Sequence, residues 1–226
     1  MNPARKSVSR YAFPGIAGLC AIGLLAACGK PDPGQTSPAG AAQAKGPCLV
    51  PLTLPNGELS QGDGELFAAA AAGDVPAAEQ SLEQGANVHA IGALKRTPLI
   101  VAAFCDHPEL VKLLLDKGAR HDATDTNGMS PLQATVIVGG MDAAKLLIAG
   151  GANVNDRDAA GRTALHVAAA TNQVALVELL LASKANSAAR DKNGKTAAAL
   201  ATGNGHSTPG TLIRKWREAH KTPRPK

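Results

Sequence analysis

Three adjacent residues, Cys105-Asp106-His107, are the ones whose types could carry out covalent chemistry. A thiol beside an imidazole makes a nucleophile only when the two are in hydrogen-bonding contact, with an orienting third group and an oxyanion site. Nothing else in the chain supplies those parts. The six His residues show no close metal-ligand spacing, and the cysteines form no CxxC pair. There is no GxxxxGK[ST] phosphate loop and no GxSxG elbow. His166 follows Thr163 by three residues, a spacing that suits a structural hydrogen bond. Three Phe, one Trp and one Tyr leave no stacking platform for single-stranded nucleic acid. No enzyme is visible, and neither metal nor cofactor is implied.

A different cysteine has a clearer chemical context. Arg5, Lys6 and Arg10 form a positive start, followed by an uncharged stretch from Tyr11 to Ala27 that is broken by Pro14, Gly15, Gly18 and Gly23. It ends in Leu25-Ala26-Ala27-Cys28. Small residues before the cysteine suit a signal protease, and the thiol is what lipid transfer requires. The segment resembles the lipobox of bacterial lipoproteins. That resemblance implies a signal peptide over residues 1–27, cleavage before Cys28, and acylation of Cys28. Gly29, where Asp tends to mean inner-membrane retention, favours an outer-membrane protein facing the periplasm. Residues 28–56 then comprise the lipidated end, a Pro/Gly/Ala/Gln-rich tether and an extended apolar stretch around Leu49–Leu54. As a flexible coil, the tether at residues 29–47 spans about 25 Å.

What must position these residues is a repeat. The tetrads Gly64-Glu65-Leu66-Phe67, Thr97-Pro98-Leu99-Ile100, Ser130-Pro131-Leu132-Gln133, Thr163-Ala164-Leu165-His166 and Thr196-Ala197-Ala198-Ala199 recur every 33 residues without insertion. Asp125, Asp158 and Asp191 each precede a Gly (Gly128, Gly161, Gly194) by three residues, just before the last three tetrads. Gly85-Ala86, Gly118-Ala119 and Gly151-Ala152 keep the same period. The pattern resembles the ankyrin repeat, with its Thr-Pro-Leu-His-x-Ala signature, and spans residues 57–221. The fold it implies is all-α: an ankyrin-repeat solenoid of about five helix-turn-helix repeats with short hairpin-like fingers. Residues 222–226 are a basic tail.

The residues make mechanical sense without the name. Thr97, Ser130, Thr163 and Thr196 offer a side-chain oxygen where each first helix begins. Pro98 and Pro131 follow, where a missing N–H costs nothing. Ala102-Ala103 and Ala168-Ala169 keep the first helices thin, while Leu110, Leu114, Leu147, Leu176 and Leu180 load the second helices. Gly85, Gly118 and Gly151 suit helix ends with positive φ, and Lys184 stands in their place once. The first repeat carries Gln80 and Ser81 where the second carries Leu113 and Leu114, as an end repeat facing water would. Leu212, Ile213 and Trp216 read as a C-terminal cap. The finger before Thr97 departs most, with Gly92 in the Asp position and Lys95 in the Gly position.

Charge adds little about partners. The net charge of +5 is concentrated at the two termini, and residues 28–205 carry −3, so nucleic acid is not expected. The resemblance implies a non-enzymatic module that binds another protein through its finger tips and the exposed ends of its first helices. On this sequence those positions are Lys95, Arg96, Phe104, Met129, Ile137, Val138 and Arg162, an apolar centre with a basic rim. Along with the partner protein, a membrane contact through Cys28 and a monomeric state are expected. The resemblance also gives His107 a structural role. Export would place Cys48 and Cys105 in an oxidising compartment, where they could pair. Two roles fit such a module: scaffold or protector of an envelope protein, and immunity-type inhibitor of a periplasm-acting toxin. A structural link across the envelope is a third.

Overall fold

The computed structural model of the protein describes residues 59–220. Cys28, the tether, Cys48 and the tail beyond His220 lie outside the described residues. Ten α-helices follow in antiparallel pairs: α1 (Gln61–Ala72) with α2 (Val75–Glu83), α3 (Pro98–Phe104) with α4 (Pro108–Asp116), α5 (Pro131–Val138) with α6 (Met141–Ala149), α7 (Ala164–Ala170) with α8 (Val174–Ala182), and α9 (Ala197–Gly203) with α10 (Ser207–Ala219). The first helices stack in the order α1, α3, α5, α7, α9, and the second helices α2, α4, α6, α8, α10 stack beside them. There is no strand among the described residues, only a single bridge between Arg190 and Thr196.

The helix starts follow from their caps. Thr97, Ser130 and Thr196 each accept the N–H three residues on, at 3.3 Å. The first repeat differs from the 33-residue pattern. Gly64, which has no side chain to cap with, lies inside α1, and the cap is Ser60, whose Oγ accepts from Asp63 N at 3.1 Å. Begun from Ser60, α1 runs 12 residues where the other first helices have seven or eight.

Small residues let the layers approach. Ala70, Ala102, Ala103, Ala134, Ala168 and Ala169 are fully buried between stacked first helices, with Leu110, Leu114, Leu147, Leu176 and Leu180 behind them. The second helices turn back where Gly85, Gly118 and Gly151 take φ of 93°, 84° and 95°. Lys184 takes φ 66° at the same place, a left-handed conformation that costs an L-residue about 1 kcal/mol. At the far end α10 is 13 residues long, with Ile213 buried and Leu212 and Trp216 half-buried against the core. Ser81 does not face water as expected of an end repeat. It is 3% exposed and donates to Ala77 O at 2.8 Å, a bond that lets a hydroxyl be buried.

Candidate functional site

The fingers are built by one device. Asp125 Oδ1 accepts from Asn127 N and Met129 N at 2.7 and 2.9 Å. Asp158 Oδ1 accepts from Ala160 N and Arg162 N, and Asp191 Oδ1 from Asn193 N and Lys195 N, all at 2.8–2.9 Å. Each carboxylate thus holds a turn closed by Gly128, Gly161 or Gly194 at φ 70–76°. The first finger has no carboxylate. Gly92 N still donates to Arg96 O at 2.8 Å, but Leu94 and Lys95 are both forced to φ 57°. Successive fingers are laced together by Thr126 N to Leu94 O, Ala159 N to Asn127 O and Lys192 N to Ala160 O, at 2.8–2.9 Å.

A second set of links runs beneath the fingers, from the fourth residue of each tetrad to the next finger. His166 Nδ1 accepts from Thr163 N at 3.2 Å and lies 2.9 Å from the Thr163 hydroxyl, so the ring proton sits on Nε2 and is donated to Lys195 O at 3.2 Å. Burial pushes the His166 pKa down, against smaller raising effects from the Lys195 carbonyl and Asp191. Gln133 does the same one repeat earlier: its Oε1 accepts from Ser130 N, and its Nε2 donates to Arg162 O at 2.7 Å. In the first two repeats this position is held by Phe67 and Ile100, both buried. The Phe67 ring packs against the place a Cβ on Gly92 would occupy, 2.8 Å from Cζ, so a side chain there would have to displace the ring.

The Cys105-Asp106-His107 string is structural. Cys105 is disulfide-bonded, so it offers no thiolate, and it is the one cysteine among the described residues. His107 Nε2 lies 3.2 Å from Ala71 O, tying the second repeat to the end of α1. Gln173 and Asn204 make the corresponding links to Val136 O and Ala170 O. Among the described residues no group of His, Cys, Asp and Glu is placed to hold a metal ion.

The residues expected to meet a partner fall into distinct environments. Ile137 and Val138, at the end of α5, are 40% and 39% exposed. Lys95 is exposed on the first finger, and Met129 is half-buried. Arg162 is held by Asp158 through Nε and Nη2 at 2.8 and 2.7 Å. Arg96 is not a free rim cation: its side chain is 12% exposed, its guanidinium lies 4.9 Å over the Phe104 ring, and its Nε is 3.9 Å from Asp125 Oδ2. Phe104 and Arg96 therefore act as one packed unit. Two apolar residues absent from that expectation, Ile91 and Leu94, are the most exposed large hydrophobics among those described, at 61% and 45%. The irregular spelling of their finger was the only signal in the sequence.

The stacked helix pairs, the laced fingers and the 33-residue register define a helical repeat module. A family model for ankyrin repeats (three copies) matches residues 66–158 and 136–215, and the chain belongs to that family. Ankyrin repeats are protein–protein interaction modules and are typically non-enzymatic. No curated protein matches the chain.

Proposed function

We propose that the chain is a lipid-anchored, periplasm-facing module that binds another envelope protein as scaffold or protector. The observation that carries the binding face is the exposure of Ile137 and Val138 at the end of a first helix. Their register equivalents are a half-buried Ala170 at the end of α7 and the polar Thr171 that caps it. Adjacent apolar side chains left in water beside a regular finger row favour a partner that covers them. The lipobox sequence ending in Cys28 supports lipid anchoring, Gly29 after it favours the outer membrane, and no helix among the described residues is long and apolar enough to cross a membrane. An immunity-type inhibitor of a periplasmic toxin would use the same face; a neighbouring gene for a secreted effector would favour it.

Two measurements test this reading. Ile137→Asp with Val138→Asp should abolish capture of the partner enriched by the wild-type chain, with helical circular dichroism unchanged; undiminished capture moves the binding face elsewhere. Arg96 is left intact because a Glu there would face the buried Asp125. Mass spectrometry of the chain purified from membranes should show an acylated N-terminal Cys28 and a Cys48–Cys105 cross-linked peptide. An unmodified Cys28 would overturn the anchor, and a different partner for Cys105 would overturn the pairing.

A further inference from the structure

The two ends of the solenoid differ in charge and in shape. Residues 59–94 hold Asp63, Glu65, Asp74, Glu79 and Glu83 and no Lys or Arg. None of the five is ion-paired among the described residues. Residues 184–220 hold seven Lys and Arg and two acids. One of those acids, Asp191, is buried and engaged by backbone N–H groups.

Among the described residues the acidic end also has an open groove between α1 and α2, floored by Ala68, Ala69, Ala72 and Ala77 and flanked by Glu65 and Asp74. Everywhere else in the stack, a helix pair of this kind is covered on that side by the repeat before it. At the other end, among the described residues, no repeat covers the last pair. There Arg214 reaches across from α10, within 3.4 Å of Thr202 Oγ1 on α9 and 3.1 Å of Thr211 Oγ1, and the exposed Lys215 follows it.

We propose that these ends bind each other head to tail, the α1/α2 groove of one copy receiving the α9/α10 end of a second copy. A second copy is favoured over another partner because one chain carries both halves of the match. The small-residue groove accepts a helix pair, and Glu65 and Asp74 meet Arg214 and Lys215. Such a contact is heterologous and leaves one acidic and one basic end free, so it extends into short rows rather than closing as a dimer. Exposed charge pairs contribute little each, so the association is weak and salt-sensitive. The finger row, which the proposed partner would use, stays open.

The test uses the chain from residue 29 onward, which contains the whole described core together with Cys48 and Cys105, after a melting curve confirms that it folds. Sedimentation velocity at low salt, about 50 mM, should show the average mass rising above that of the monomer with concentration. At about 500 mM salt it should return to the monomer. Glu65→Lys with Gln80→Lys, both lining the groove at the head, or Arg214→Glu with Lys215→Glu at the tail, should each give a monomer at low salt. Mixing the two variants, or combining all four changes in one chain, should restore association. A wild-type chain that stays monomeric at every concentration overturns the proposal, as does self-association that survives either pair of charge reversals. Partner capture is read separately, so loss of self-association with capture intact separates this contact from the finger-face reading.

Discussion

The first two repeats and the third and fourth are joined by the same register position in opposite ways. Phe67 and Ile100 fill it with apolar bulk, whereas Gln133 and His166 reach through it to the carbonyls of Arg162 and Lys195. The fingers divide one junction earlier: above the apolar Ile100 the finger already has the Asp125 keystone and Gly128, and the irregular finger is the one over Phe67. Where the junction is polar, the finger above has an Asp keystone and a Gly; where Phe67 sits below, the finger has Gly92 and two strained residues. Apolar packing does not specify where the finger backbone goes, since a ring accepts any surface of suitable shape. A side chain bonded to a fixed carbonyl does specify it. The first finger is thus the one with neither a keystone carboxylate nor a polar side chain bonded to it from below; its own Gly92–Arg96 bond, the Thr126–Leu94 link and the Phe67 ring hold it, and it exposes Ile91 and Leu94.

The sharpest way to break this comparison is to remove each kind of junction. Phe67→Ala deletes a fully buried ring and should cost about 3–5 kcal/mol. Because a solenoid is stabilised neighbour by neighbour, the loss should appear as early melting of the first repeat. Gln133→Ala leaves Ser130 N–H and Arg162 O without that partner and should cost about 1–3 kcal/mol. Hydrogen exchange read repeat by repeat checks both. If Gln133→Ala opened its repeat more than Phe67→Ala opened the first, polar linkage would dominate everywhere and the division would be wrong.

Next in size is the strain of the first finger. Lys95 is exposed and takes φ 57° in the place where the other fingers have glycine. Lys95→Gly should therefore raise stability by about 1 kcal/mol, seen as a higher urea midpoint at unchanged slope. Strain of this kind persists where something is gained from the shape it enforces. The expected companion result is weaker partner capture, since Ile91 and Leu94 would no longer be held at the tip. A stability gain with capture unchanged would leave the strain without a function, and no gain at all would show that the surrounding lacing already relieves it.

How much of this was legible in the sequence divides the same way. The 33-residue register, the caps at Thr97, Ser130 and Thr196, the helix-ending glycines and the oddity of Lys184 all show in single residues, because each reports a local backbone demand. The fold followed from them. Three features did not. Gly64 occupies the register position of a cap without acting as one, because Ser60 outside the tetrad does so instead. Arg96 reads as a surface cation, yet it lies on Phe104 beside Asp125, contacts that depend on how three elements meet. His166 reads as bonding within its own Thr-x-x-His, and half of its role is a bond to the following repeat, 29 residues away.

That last residue supplies the smallest and most specific expectation. Burial holds His166 neutral, with its folded pKa below the usual value. The unfolded chain therefore binds a proton more readily, at a pKa of about 6.5. Stability from this group is complete above that value and falls as pH drops through it, because the unfolded state then takes up a proton that the folded state resists. Protonation would also put a proton on Nδ1, which accepts from Thr163 N, and so oppose the link at its own repeat. Gln133 shows that glutamine can make both bonds in the same register position. His166→Gln should therefore leave the melting temperature at pH 7.5 nearly unchanged and flatten its decline between pH 7 and pH 5.5. A decline as steep in the variant as in wild type would place the pH sensitivity outside His166, and the neutral-imidazole account of this junction would fail.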